Sequence, residues 1–242
     1  MNAVKRTDFA LNPSLDANAL ARRYAENGRV RIADFLCADV VTRLACNLRE
    51  RTDWHWVMNS GDKVFEVTRD ARAALSGDQL RALDDATYAT ARSGFQYRFE
   101  TLRVPDDDAE RATSDDMLAA FAAWLSSPEP LALLRRITGA DAIDFADMQA
   151  TAYGPGDFLT AHDDAVAGKR RHAAYVLGLN STWRTEWGGL LLFHEPDDSI
   201  QGRVPAFNTL DLFSVPQLHS VSEVTRAAAN RRYSITGWLR SR

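Results

Sequence analysis

The sequence is poor in the features that would assign it quickly. It has two cysteines, Cys37 and Cys46, in 242 residues. They fall nine residues apart, at the start and in the third turn of what reads as a helix. A disulfide between them would be awkward, and a thiolate metal site lacks further partners. Both read as buried small apolar residues, consistent with a reducing compartment. Charge of one sign is also missing: 33 acidic against 29 basic residues give a net charge of −4 and a pI near 5.7. With no basic stripe to meet a phosphate backbone, nucleic-acid binding is not supported. No apolar run reaches the ~18 residues of a membrane span, and Met1 to Asp8 has no apolar stretch behind its charges. The expected location is therefore cytoplasmic, with no membrane partner. Repeats, low-complexity tracts and Gly/Ser/Pro-rich linkers are absent as well, so 1–242 reads as a single domain. A hydrophobic content of 45% is enough for a substantial core.

The first part, about 1–92, reads as a mainly helical support region. Asp16 to Asn27 has apolar residues at helical spacing and stops at Gly28; Arg29 to Ala33 then alternates as a strand does. Ala38 to Arg51 is helical again, through Val40, Val41, Leu44 and Leu48. Ser76 and Gln79 form a capping box that opens a helix to about Arg92. Phe95 to Glu100 alternates strictly and predicts a strand with an aromatic face. The acidic stretch 105–116 reads as an exposed, mobile loop, a lid if it has a role at all. Helical patterns return over Met117–Leu125 and Leu131–Ile137. From Ile143 onward, short apolar runs such as Leu190–Phe193, Thr209–Phe213 and Tyr233–Thr236 are separated by Gly, Pro, Asn and Asp. Many short strands at close spacing predict a sandwich or barrel.

The chemistry concentrates in that β-rich part. His162 and Asp164 flank Asp163, and i, i+2 spacing on a strand would turn both toward one metal while Asp163 faces away. His219, beside an apolar strand, supplies a second imidazole. His172, in a basic turn, and His194, before an acidic turn, read as surface residues. Two imidazoles and a carboxylate leave metal positions open and suit non-haem Fe(II). Arg232 shares a strand face with Ser234, Thr236 and Trp238. A guanidinium there suits bidentate capture of a carboxylate. A ligand with a carboxylate at one end and a chelating group at the other would bridge Arg232 and the metal, and 2-oxoglutarate has that shape.

Ordered neighbours carry a resemblance. Tyr153-Gly154-Pro155-Gly156-Asp157-Phe158-Leu159 leads into His162-x-Asp164. Leu179 to Trp183 precedes Gly188 to Phe193. Pro205-Ala206-Phe207 precedes His219-Ser220-Val221, and Arg232 to Trp238 closes the series. In this order the segment from about 143 to 240 resembles the Fe(II)- and 2-oxoglutarate-dependent oxygenases, in their prolyl-hydroxylase-like branch. The resemblance implies an α+β fold in which 93–242 forms a double-stranded β-helix (jelly-roll) region buttressed by the N-terminal helices. It implies His162, Asp164 and His219 as iron ligands, Arg232 as the anchor of the distal carboxylate of 2-oxoglutarate, and Tyr153 lining the same pocket. Arg232 is preferred to Arg231 because it directly precedes the Tyr-Ser-Ile-Thr-Gly-Trp stretch. Where some relatives place a second pocket tyrosine, this chain has Gly178, so Thr236 or Ser234 is expected to complete the co-substrate pocket.

The implied activity is hydroxylation of a C–H bond using O2, with succinate and CO2 as co-products and ascorbate as a reductant. Asp164 keeps the carboxylate ligand and favours hydroxylation over halogenation. The branch favours a prolyl or other amino-acid residue in a protein or peptide; a free amino acid or small natural product is the alternative. From other classes, the rivals are a non-catalytic metal-binding jelly-roll sensor, for which Arg232 would be superfluous, and a cupin-like enzyme, which would show more clustered histidines. Phe95, Tyr97 and Phe99, with Arg98 and Arg103 nearby, read first as core and second as the approach to the metal. Trp54, His55 and Trp56 carry the same ambiguity.

Overall fold

A computed structural model of the chain describes residues 9–242; the expectation about Met1 to Asp8 lies outside the described residues. Helix α1 (Ala17–Asn27) begins where the Asp16 carboxylate accepts from the Asn18 and Ala19 amides, and ends at Gly28, whose φ of 65° is the left-handed stop expected there. Strand β1 (Arg29–Ile32) and helix α2 (Ala38–Glu50) follow. A hairpin of β2 (His55–Ser60) and β3 (Lys63–Thr68) leads through α3 (Arg69–Ala73) to α4 (Gly77–Ala91), which the Ser76/Gln79 capping box opens. Next come β4 (Tyr97–Arg103), α5 (Asp108–Thr113), α6 (Met117–Leu125) and α7 (Pro128–Thr138). The remainder is β5 (Phe145–Ala146), β6 (Gln149–Tyr153), β7 (Phe158–His162), β8 (Arg171–Leu179), β9 (Leu191–His194), β10 (Ile200–Arg203), β11 (Phe207–Ser214), β12 (His219–Val221) and β13 (Arg232–Arg240), with a short 3-10 turn at Thr185–Trp187.

The strands form one 13-stranded sheet, in the order β1-β11-β8-β13-β6-β4-β7-β12-β9-β10, with the β2–β3 hairpin on β4 and β5 on β13. The sheet curls where β4 leaves β6 and pairs with β7 through Tyr97↔Leu159 and Arg98↔Phe158. That fold-over sets β12 and β9 against β11: Phe213 lies 4.7 Å from the His219 ring and 5.1 Å from Phe193. The result is a jelly-roll half-barrel of antiparallel strands with helices on one side.

Alternation along each strand divides the residues between two faces. Leu177, Leu179, Leu210, Leu212 and Ile235 join Val41, Leu44, Phe121 and Leu134 in the main core, so the helices cover the outer face. Helix α6 is buried on all sides, as its continuous apolar composition requires. The other face carries Thr151, Tyr153, Ser234, Asp211 and Arg232 toward the interior of the curl.

Several expectations need correction. Cys37 is half-buried and Cys46 exposed, because Cys46 falls on the solvent side of α2 while Leu44, Ala45 and Leu48 take the core side. The support region is not only helical: β1 extends one edge of the sheet against β11, and β2 pairs with β4. The stretch 105–116 is not a loose lid. It contains α5, and the fully enclosed Arg111 ties it down by donating to Pro105 O at 2.5 Å and Ala146 O at 3.1 Å. Trp54 and Trp56 are core residues, and only His55 between them is exposed.

Candidate metal and co-substrate site

Strand pairing brings the two imidazoles together. His162 ends β7, His219 begins β12, and the two are direct partners across the antiparallel pair, with ring centroids 4.2 Å apart. Asp164 reaches them differently from the expected strand spacing. It lies beyond the end of β7 with φ of 64°, a left-handed turn that aspartate tolerates better than most residues. The turn folds its carboxylate back onto the rings, with Oδ1 3.4 Å from His162 Nε2 and Oδ2 3.5 Å from His219 Nε2. The Asp164 carbonyl accepts from Arg171 at 2.9 Å, which fixes the turn. Asp163, exposed, is used locally as acceptor for the Ala165 amide.

The second nitrogen of each ring is committed to main chain: His162 Nδ1 lies 3.0 Å from Thr160 O, and His219 Nδ1 lies 2.7 Å from Gln217 O. A carbonyl accepts only, so Nδ1 carries the proton and Nε2 presents its lone pair to the centre of the triad. Burial, reinforced by neighbouring His162, pushes the His219 pKa down to about 4, which keeps the ring neutral at physiological pH. Burial works to raise Asp164, but the facing rings of His162 and His219 outweigh it and hold the carboxyl below its ordinary value. One donor atom from each residue falls within 4.8 Å of the others. Two imidazole nitrogens and a carboxylate, all lining a cavity of about 550 Å3, fit a divalent metal with open positions. His172 and His194 are half-buried rather than on the surface, hydrogen-bonded to Ser241 at 3.0 Å and Ser220 at 2.8 Å. Neither belongs to a metal-capable group among the described residues.

Arg232 borders the same cavity from β13. It is only 4% exposed, donates to Ser234 Oγ at 2.9 Å, and leaves Nε without a partner. No carboxylate among the described residues comes within ion-pair distance of it, and burial lowers its pKa. Its neighbour Arg231 points to the opposite face, with NH1 3.1 Å from Glu100 Oε2, an ion pair too bent for a formal hydrogen bond. A buried guanidinium without a counter-charge is costly, so the Arg232 site calls for an anion. Tyr153, the Cα partner of Arg232, stacks on Phe99 at 5.0 Å beneath the guanidinium. Burial pushes its hydroxyl well above the ordinary tyrosine range, so it stays a neutral donor.

The departure at Gly178 has a steric cause: a Cβ there would lie 2.2 Å from Ala206 O. No larger residue fits while residues 205–207 keep this path. Ser234 and Thr151, whose hydroxyls are 3.1 Å apart, stand on the neighbouring strands, and Thr236 lies further along the cavity wall.

Another cavity residue, Arg171, carries no distinguishing signal in the sequence. Arg171 stacks on Trp238, its guanidinium carbon 3.5 Å from the ring centroid, and Arg171 Nε and Trp238 Nε1 are both buried without partners. Arg171 reads in sequence as part of the basic turn Lys169-Arg170-Arg171, and no local signal separates it from its neighbours. Phe95, Tyr97, Phe99 and Arg103 also line the cavity, so the aromatic face of β4 is wall as well as core. Phe95 is 47% exposed and 5.5 Å from the His162 ring. Arg98 turns away, into ion pairs with Asp84 and Asp157.

Residues 148–240 match the model of the 2OG-Fe(II) oxygenase superfamily, a span that holds the whole triad and Arg232. The likeness to the 2OG-Fe(II) oxygenase superfamily thus covers the β-rich segment that carries the site. Over 131 residues, 51% of the chain, it is 32% identical to mouse (Mus musculus) prolyl 3-hydroxylase OGFOD1, and over 159 residues it is 29% identical to the Xenopus laevis protein of that name. The alignments span 22% and 29% of the length of those relatives. In three dimensions the chain resembles a Pseudomonas putida prolyl-4-hydroxylase: TM-score 0.56, 23% identity, covering 93% of this chain and 99% of that one. The jelly-roll fold is thus shared along nearly the whole chain.

Proposed function

We propose that the chain is an Fe(II)- and 2-oxoglutarate-dependent dioxygenase that hydroxylates a prolyl residue in a protein or peptide. One observation carries this reading: a three-donor metal set and a buried, unpaired arginine border the same cavity. A structural metal site has no use for the second. His162, Asp164 and His219 would hold Fe(II), and Arg232, with Ser234 and Tyr153 beside it, would receive the distal carboxylate of 2-oxoglutarate; Thr236 lines the wall nearby. When bound, the metal and co-substrate supply oxidative decarboxylation coupled to C–H hydroxylation, yielding succinate and CO2, with ascorbate as external reductant.

The chain's own residues bind and orient. The backbone carbonyls on Nδ1 fix both rings, and Arg171 fixes the turn that aims Asp164. Phe99, Tyr153, Leu191 and Phe213 exclude water from the inner end. Arg171 and Trp238 line the same cavity beside Asp164 and add polar groups to an otherwise aromatic wall. Prolyl hydroxylation, the activity for which the relatives are named, supports proline as the target. A cytoplasmic location is part of the same proposal. The test is mass spectrometry of proline-containing peptides incubated with Fe(II), 2-oxoglutarate and the protein. Gain of one oxygen atom on proline, matched by succinate, is expected. Oxygen gain only on free amino acids would replace the substrate class, and no succinate under any condition would remove the activity.

A further inference from the structure

Arg232 lacks a counter-charge although a carboxylate stands close by. Asp211, on β11, is 6% exposed and borders the same small void as Arg232, Ser234 and Thr209. That void measures about 10 Å3, room for roughly one water molecule. Both oxygens of Asp211 are already taken, with Arg31 Nε 2.8 Å from Oδ1 and Arg31 NH2 2.7 Å from Oδ2. Arg31 and Asp211 are Cα partners on β1 and β11, so sheet register itself sets this fork-to-fork pair. Arg203 also borders the void, and its pKa is pulled down by burial. Cations therefore outnumber the single carboxylate here.

A buried guanidinium pairs with the nearest available carboxylate unless that carboxylate is better satisfied elsewhere. We propose that Arg31 is a positioning residue for the co-substrate: by holding both oxygens of Asp211, it keeps that carboxylate off Arg232 and leaves Arg232 free for an incoming dicarboxylate. The inference rests on the reading that Arg232 receives the distal carboxylate of 2-oxoglutarate. Asp211 is then the internal competitor, and Arg31 the residue that disarms it.

The test is calorimetric titration of 2-oxoglutarate into the Mn(II)-loaded protein, which reads binding without turnover. Arg31→Gln is expected to weaken binding roughly tenfold. Asp211→Asn alone is expected to stay within about twofold of the native chain, and Arg31→Gln/Asp211→Asn to return to that level. A merely structural role for Arg31 predicts no such rescue. If Arg31→Gln does not fold, Arg31→Lys keeps the charge, loses the fork, and is expected to show a smaller weakening that Asp211→Asn again reverses. Native-like binding by the folded Arg31 variant, or a double variant as weak as the single one, would overturn the inference. Arg232→Ala is the control. If the native chain binds 2-oxoglutarate and Arg232→Ala does not, the co-substrate reading stands whatever Arg31 does; if the two bind alike, that reading fails first.

Discussion

Adjacent arginines at the start of β13, Arg231 just before it and Arg232 its first residue, open onto two opposite kinds of buried charge. On the outer face, Arg231 joins Arg69 and Arg72 around Glu100, which is 1% exposed, and nearby Asp157 accepts from the Gly154 amide beside Arg98. Every carboxylate there has several donors. On the inner face Arg232 has a serine hydroxyl and, among the described residues, no acid within ion-pair distance, and Asp164 gathers two imidazoles. The outer cluster is internally satisfied and holds the molecule together. The inner one is incomplete, and its missing parts are a cation at the triad and an anion at Arg232. Unbalanced buried charge, rather than buried charge as such, marks the site.

That contrast breaks most visibly at the triad. His162→Ala should abolish metal retention and turnover while leaving the melting curve of the metal-free protein nearly unchanged, checked by metal analysis and succinate release. Next, Arg232→Ala should weaken 2-oxoglutarate binding roughly a hundredfold, about 2.7 kcal/mol, with metal content intact. Arg231→Ala should instead leave that affinity alone and cost about 1 kcal/mol of stability, since the group is partly solvated. Glu100→Gln should reverse the pattern of Arg232→Ala: about 3 kcal/mol lost in urea unfolding, because three arginines lose their common acceptor, with 2-oxoglutarate affinity retained.

The subtlest readout is a pH slope. Burial raises the Asp157 pKa to about 6, against the opposing pull of the Gly154 amide, Arg98 and Arg72. A carboxyl with a raised folded-state pKa binds more protons folded than unfolded between its ordinary value and about 6. Its contribution to stability is therefore greatest below pH 4 and falls as pH rises toward 6, by about 3 kcal/mol. Asp157→Asn should flatten that part of the profile, read as the difference between variant and native urea midpoints from pH 4 to 7. An unchanged difference would mean the outer cluster is as open to solvent as an ordinary surface pair.

How much of this was legible in sequence differs from residue to residue. The ordered motifs around His162, His219 and Arg232 point to the right part of the fold because each sits at a strand end whose neighbours are chemically distinctive. Asp164 was chosen over Asp163 by strand spacing, yet it arrives through a left-handed turn, and sequence pattern does not report that backbone choice. The 105–116 stretch looks like free loop because its composition is acidic; its anchor, Arg111, bonds to main-chain carbonyls that have no sequence signature. The β4 aromatics face the cavity because β4 changes partner from β6 to β7, a pairing no local pattern specifies. Arg31 and Asp211 lie 180 residues apart, and only sheet register brings them together.

The most direct measurement of the central claim is the visible spectrum of the protein with Fe(II) and 2-oxoglutarate under anaerobic conditions. A weak charge-transfer band is expected in the native chain and in His172→Ala, lost in His162→Ala, and requiring far more 2-oxoglutarate in Arg232→Ala than in Arg231→Ala. No band in the native protein, or equal behaviour of the two arginine variants, would contradict it.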